Sequence, residues 1–280
     1  MKKISAFLTI AILLVLTGAG KETENNAGNG EVKPLVTCTT TLLSSVVAVV
    51  GADSVEVNTI VPFGMCPGHF DLTPGEADKL RNADILLYHG FEQFLKGIET
   101  SRHTRVIKAG VNGNWMIPSI HIQGIESIRA VLSEAMPEMK DAFADRAERY
   151  KLAVTEQADY EKKRFIAYRD TPVICSEMNR DMIEWCGLKV IAQFERDEDV
   201  SVKTLHKIII QGKESSAAMV IDNRQSSGKI GETIAGELGI PFVMISNFPE
   251  LDLVSEKEYP YVKTLSNNCS AILKILKTEE

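Results

Sequence analysis

The chain has 280 residues, 44% of them hydrophobic and 25% charged, which excludes fibrous and intrinsically disordered classes and leaves room for one or two globular domains. With 31 Lys and Arg against 38 Asp and Glu, the formal net charge of −7 repels phosphate backbones and argues against a nucleic-acid partner.

In chain order, residues 1–19 read as an export signal. Lys2-Lys3 is a basic start, and the apolar run Ile4 to Leu16 is shorter than the roughly 20 residues of a membrane span. Leu16-Thr17-Gly18 resembles the end of a bacterial lipoprotein box, but Ala19 stands where such a box needs its lipid-bearing Cys, which leaves lipid anchoring in doubt. Residues 20–33 carry too few large apolar side chains to offset the entropy of ordering, and read as a disordered tether. Export would place Cys38, Cys66, Cys175, Cys186 and Cys269 in an oxidising or exposed compartment, while the absence of any CxxC spacing excludes zinc-ribbon and thioredoxin motifs.

From Pro34 the pattern alternates. Leu35 to Cys38 is predicted as a strand, Leu42 to Val50 as a helix, Val55 to Val61 as a strand, Thr73 to Asn82 as a helix behind Pro74, and Ile85 to Tyr88 as a strand. The stretch Pro137 to Arg169 lacks Gly and internal Pro. It repeats Phe143, Ala147, Tyr150, Val154, Ala158 and Phe165 at three- and four-residue steps, which predicts one long amphipathic helix. After Thr171-Pro172 the rhythm resumes, with strands at Val173–Cys175, Lys189–Gln193, Ala218–Ile221 and Pro241–Ile245. The matching helices are Met178–Cys186, Val202–Gln211, Lys229–Leu238 and about Tyr261–Leu276. The expected architecture is α/β: an N-terminal lobe over 34–136, a linking helix over 137–169 and a C-terminal lobe over 170–280, with ligands at the carboxyl ends of parallel strands.

Those strand ends hold the candidate chemistry. The loop Val61 to Asp71 carries Cys66, His69 and Asp71 among two Pro and two Gly; thiolate and imidazole together suit zinc and similar borderline metals. Cys66 admits three readings: metal thiolate, disulfide partner of a residue such as Cys38, or buried apolar residue. His121, among apolar neighbours, suits a satisfied, partly buried imidazole or a ligand; His89 suits a ligand edge or a cap, and His103 and His206 are expected to play no part. Glu177 ends the strand Val173–Cys175, and Asp222, Arg224 and the acidic loop Asn247 to Asp252 lie at the same edge. No GxSxG, P-loop, HExxH or GxGxxG motif occurs, so an enzyme reading has no support in motifs.

Val61-Pro62-Phe63-Gly64, Pro67, His69, Phe70 and Pro74, followed by Lys79-Leu80 and Asn82 to Gly90, resemble the signature VPxGxxPHxYxPxPxDxxKLxxADLxxYNG of metal-specific solute-binding proteins of ABC importers, the zinc and manganese class. The resemblance implies two lobes, each with a mainly parallel four-stranded sheet flanked by helices and joined by a backbone helix, with one Zn²⁺ or Mn²⁺ between them as cargo. It implies metal ligation by His69, His121 and Glu177, with Cys66 as a further thiolate and Asn247, Glu250 or Asp252 as candidates for the last position. The signature's first His follows Pro directly, whereas Pro67 is followed here by Gly68; its second lies in Pro-His-x-Trp, whereas His121 comes later. The implied protein is exported to the periplasmic or extracellular face, works as a monomer near the membrane surface and delivers its ion to an ABC permease. A binding protein for a metal chelate or small anion, with Arg180 and Arg224 facing the cleft, or an exported metal-dependent enzyme, are the alternatives.

Overall fold

Strand β1 (Leu35–Cys38) lies at the centre of a parallel sheet, paired with β2 (Glu56–Thr59) on one side and β3 (Ile85–Tyr88) on the other, and β3 pairs with β4 (Arg105–Lys108). A second parallel sheet repeats the plan with β5 (Pro172–Ser176) between β6 (Lys189–Phe194) and β7 (Val220–Asn223), and β8 (Phe242–Ile245) beyond β7. These elements belong to a computed structural model that describes residues 33–196, 199–251 and 259–278; the expected signal, the tether up to Val32 and the candidate Asp252 lie outside the described residues. Inner strands of a parallel sheet are covered on both faces, so β3 and β5 read as apolar runs. The edge strand β4, Arg-Val-Ile-Lys and mostly exposed, has no such run and escapes the sequence pattern.

The helices are α1 (Thr41–Gly51), α2 (Pro74–Arg81), α3 (Pro118–Ala135), α4 (Lys140–Arg164), α5 (Arg180–Trp185), α6 (Val202–Glu214), α7 (Lys229–Leu238) and α8 (Pro260–Leu276). Thr73 and Glu76 close α2 with a capping box, the Thr73 hydroxyl accepting from Glu76 N and the Glu76 carboxylate from Thr73 N at 2.7 Å. The long helix begins at Lys140 after a separate 3-10 turn at Pro137–Met139, and another 3-10 turn follows at Ile166–Tyr168. Its 25 residues extend about 37 Å at 1.5 Å per residue. Its stripe of Phe143, Ala147, Tyr150, Val154 and Ala158 is buried, packed against α1, α3 and α8. One apolar core runs from Val36 and Val47 through Tyr150 and Leu265 to Val173 and Ile221, so the lobes share an interior behind the sheets.

In both sheets the chain steps outward from the first strand and then crosses to its other side, giving the orders β2-β1-β3-β4 and β6-β5-β7-β8. Such a reversal opens a crevice at the carboxyl ends of the strands beside it.

Candidate functional site

Loops from both lobes line a cleft of about 660 Å³. The first lobe contributes Cys66 to Gly68 after β2, His89 to Phe91 after β3 and Val111 to Trp115 after β4. The second contributes Glu177 and Met178 after β5, Arg196 after β6, Asn223 and Gln225 after β7, and Asn247 and Phe248 after β8.

A buried carboxylate shapes the first wall. Glu92 accepts hydrogen bonds from His89 N at 2.8 Å, Gly90 N at 2.7 Å and the Thr39 hydroxyl at 2.5 Å, tying the turn after β3 to the end of β1. Gly90 has φ +113°, a backbone conformation that residues with a Cβ rarely adopt, so glycine suits the turn. His89 Nε2 lies 2.9 Å from the Thr40 hydroxyl that caps α1, while the ring stacks on Phe91 and meets Trp115 edge-on. Burial pulls the His89 pKa down to about 4 against the opposing charge of Glu92, so the imidazole is neutral at pH 7.

Trp115 is seated by Gly124 of α3, where an added Cβ would come within 2.4 Å of the indole. Gly124→Ala should therefore gain about 1 kcal/mol of helix propensity and lose more by overpacking, about 1–3 kcal/mol, as the ring is displaced. A thermal unfolding midpoint equal to or above the wild type would show that the ring moves freely.

The expected ligands are not all brought together. Glu177 reaches the cleft from the turn after β5, as its strand-end position predicted. Cys66 lines the cleft, and His69 stands beside it, but both face Arg196 of the other lobe: Arg196 Nη2 donates to Cys66 Sγ at 3.0 Å, and Nη1 to His69 Nε2 at 2.6 Å. His121 is a correction to the ligand expectation. It is completely buried, stacked on Tyr261 with centroids 3.6 Å apart and joined to the Tyr150 hydroxyl at 2.9 Å, behind the cleft wall. Burial lowers its pKa to about 3, opposed by a backbone hydrogen bond at Trp115. Among the described residues no three His, Cys, Asp or Glu side chains come together as a metal site.

The cysteine alternatives also resolve. Cys38 lies in the core and all five thiols are free, so Cys66 neither pairs with Cys38 nor sits buried. Burial raises Cys38 and Cys175 to about 12. One thiol per native chain, that of Cys66, is thus expected to react promptly with a disulfide reagent, because the other four are buried. Prompt native labelling of Cys66→Ser would contradict this.

The cleft's arginine is Arg196, which the sequence did not single out; Arg180 instead bonds Glu184 and Gln193, and Arg224 lines a separate depression with Glu250 and Lys263. Asp222 is buried at the end of β7, where its carboxylate accepts from Asn223 N and the Ser226 hydroxyl and shapes the following turn.

Residues 36–275 match the family model described as zinc-uptake complex component A, periplasmic. The chain belongs to this family. Among curated relatives, a manganese-binding lipoprotein of Bacillus subtilis is 26% identical over 157 residues, 49% of this chain and 51% of the relative. A manganese ABC transporter substrate-binding lipoprotein of Streptococcus pneumoniae is 28% identical over 116 residues, 41% of this chain and 35% of the relative. The chain thus spans about half or less of the length of these relatives. In fold it is similar to the periplasmic zinc binding protein of Treponema pallidum, with TM-score 0.77 at 14% identity over 87% of this chain and 99% of that one. It is also similar to a cadmium-bound periplasmic metal binding protein of Candidatus Liberibacter asiaticus, with TM-score 0.75 at 19% identity over 87% and 100%. Within the family signature, Gly68 stands where the motif has its His, and Gly68 itself lines the cleft against Arg196.

Proposed function

We propose that the protein is the extracytoplasmic solute-binding component of an ABC importer, with a divalent transition metal, zinc or manganese, as the cargo held between its lobes and passed to the permease. The observation that carries this reading is the cleft itself: in a chain of the zinc-uptake family, strand-end loops of both lobes converge on one cavity. The metal named in the relatives' descriptions, manganese in two of them, supports a metal cargo. In this reading residues 1–19 direct export, the protein works as a monomer near the membrane surface, and it binds without catalysing a reaction. Glu177 supplies an oxygen donor to the cargo, and Cys66 and His69 add softer donors when Arg196 releases them.

Deleting the gene from its own host should lower the cellular content of one transition metal, with restoration by the wild-type gene and not by Glu177→Ala. Unchanged content of every transition metal under metal limitation would overturn the reading. The shared core and the long α4, which has no Gly or internal Pro to bend at, restrict closure to a tilt of a few degrees. Small-angle scattering should therefore show little contraction on loading, and a large closure would contradict the rigid linkage.

A further inference from the structure

We infer that the cleft takes its metal as a preformed complex with a small carboxylate-bearing chelator, which supplies most of the donor atoms itself. The inference rests on the reading above that the cargo contains a metal.

Size is the first argument. A bare ion held by protein donors at about 2.0–2.3 Å needs a site in which the ligating side chains nearly touch. The cleft is about 660 Å³, within the span of roughly 300–1,000 Å³ that accommodates small organic molecules.

The donor set is the second. Among the described residues no cluster of three His, Cys, Asp or Glu exists, and His121, the imidazole expected to complete one, is locked between Tyr150 and Tyr261. Cys66 and His69 already accept from Arg196. A bare dication seeking those atoms must displace a guanidinium and remain beside its positive charge, whereas a chelator carboxylate would meet that guanidinium as a charge-assisted partner.

The walls are the third. Phe91, Met178 and Phe248 offer apolar and polarisable surface, and the exposed Asn112 stands among them as a neutral hydrogen-bonding group. A hydrated ion gains nothing from such surface. An organic ligand does, by stacking and by losing apolar area to water. Glu177 and Asp181 on the second lobe face the same space and complement the metal's residual charge.

Calorimetry on the full mature chain tests the inference with Zn²⁺, Mn²⁺ and Ni²⁺ alone, with citrate, L-histidine and EDTA alone, and with the metal complexes of each. At least one complex is expected to bind 100-fold or more tighter than both its bare ion and its free chelator, and Arg196→Gln should weaken that binding at least tenfold. Arg196→Lys, which keeps the charge and loses the planar fork, should fall between the two. Submicromolar binding of a bare ion, merely competed away by chelators, overturns the inference and leaves the metal-cargo reading standing. A free chelator binding as tightly as its complexes overturns both. Failure of every complex to bind overturns the inference for carboxylate chelators.

Discussion

Between about pH 6.5 and pH 3 the protein is expected to lose several kcal/mol of stability, with His121 the largest single contributor. Its ordinary value of 6.5 is pulled to about 3 by complete burial among Tyr150, Tyr261 and Trp115, and His89 falls to about 4 chiefly for the same reason. Above pH 6.5 both imidazoles are neutral in folded and unfolded chains, and they contribute no pH dependence. Below it the unfolded chain takes up protons that the folded one excludes. Each such imidazole then lowers the free energy of unfolding by roughly 1.4 kcal/mol for every pH unit of acidification, until its folded value is reached. Carboxylates add their own acid sensitivity, but equally in a variant. In His121→Gln, whose amide can still reach the Tyr150 hydroxyl, the denaturation midpoint should depend less steeply on pH between 6.5 and 4. Parallel curves for wild type and variant would contradict a buried neutral His121.

Glu177→Ala should weaken cargo binding by one to two orders of magnitude with little effect on the unfolding midpoint. Glu177 is only partly buried, at the start of the turn after β5, so the fold does not depend on it. It is a carboxylate of the second lobe on the cleft wall, opposite Cys66 and Gly68 of the first. A cargo that touches both lobes holds them together, and loss of the charge from one side removes a hydrogen-bonded or coordinated contact worth about 1.5–3 kcal/mol. Glu177→Gln should recover part of the affinity if the contact is a hydrogen bond, and almost none if the oxygen binds metal. Equal binding by wild type and both variants would show that the cargo sits elsewhere.

Much of the fold was legible in the sequence because local pattern and tertiary role agree. β1 at Leu35–Cys38, β3 at Ile85–Tyr88 and α7 at Lys229–Leu238 fall on the predicted bounds. β4 failed because an edge strand with polar ends carries no buried run, and the linking helix was overextended at both ends because 3-10 turns continue a helical period. The cleft was half legible. Strand-end positions found Cys66 and Glu177, but Arg196 and Phe91 have no motif of their own and reach the cleft only through the strand order of two sheets. For His121 the apolar neighbours gave the better reading: they describe the aromatic packing that buries the ring, whereas a motif position two residues away could not show that the ring turns from the cleft.

Anomalous diffraction from crystals of the loaded protein, at the absorption edge of the bound metal, locates a metal-containing cargo relative to the two lobes. A single strong peak is expected inside the cleft, between the Cys66 to Gly68 loop of the first lobe and Glu177 of the second. A peak confined to the surface of one lobe, or a loaded cleft with no anomalous scatterer in it, would contradict it.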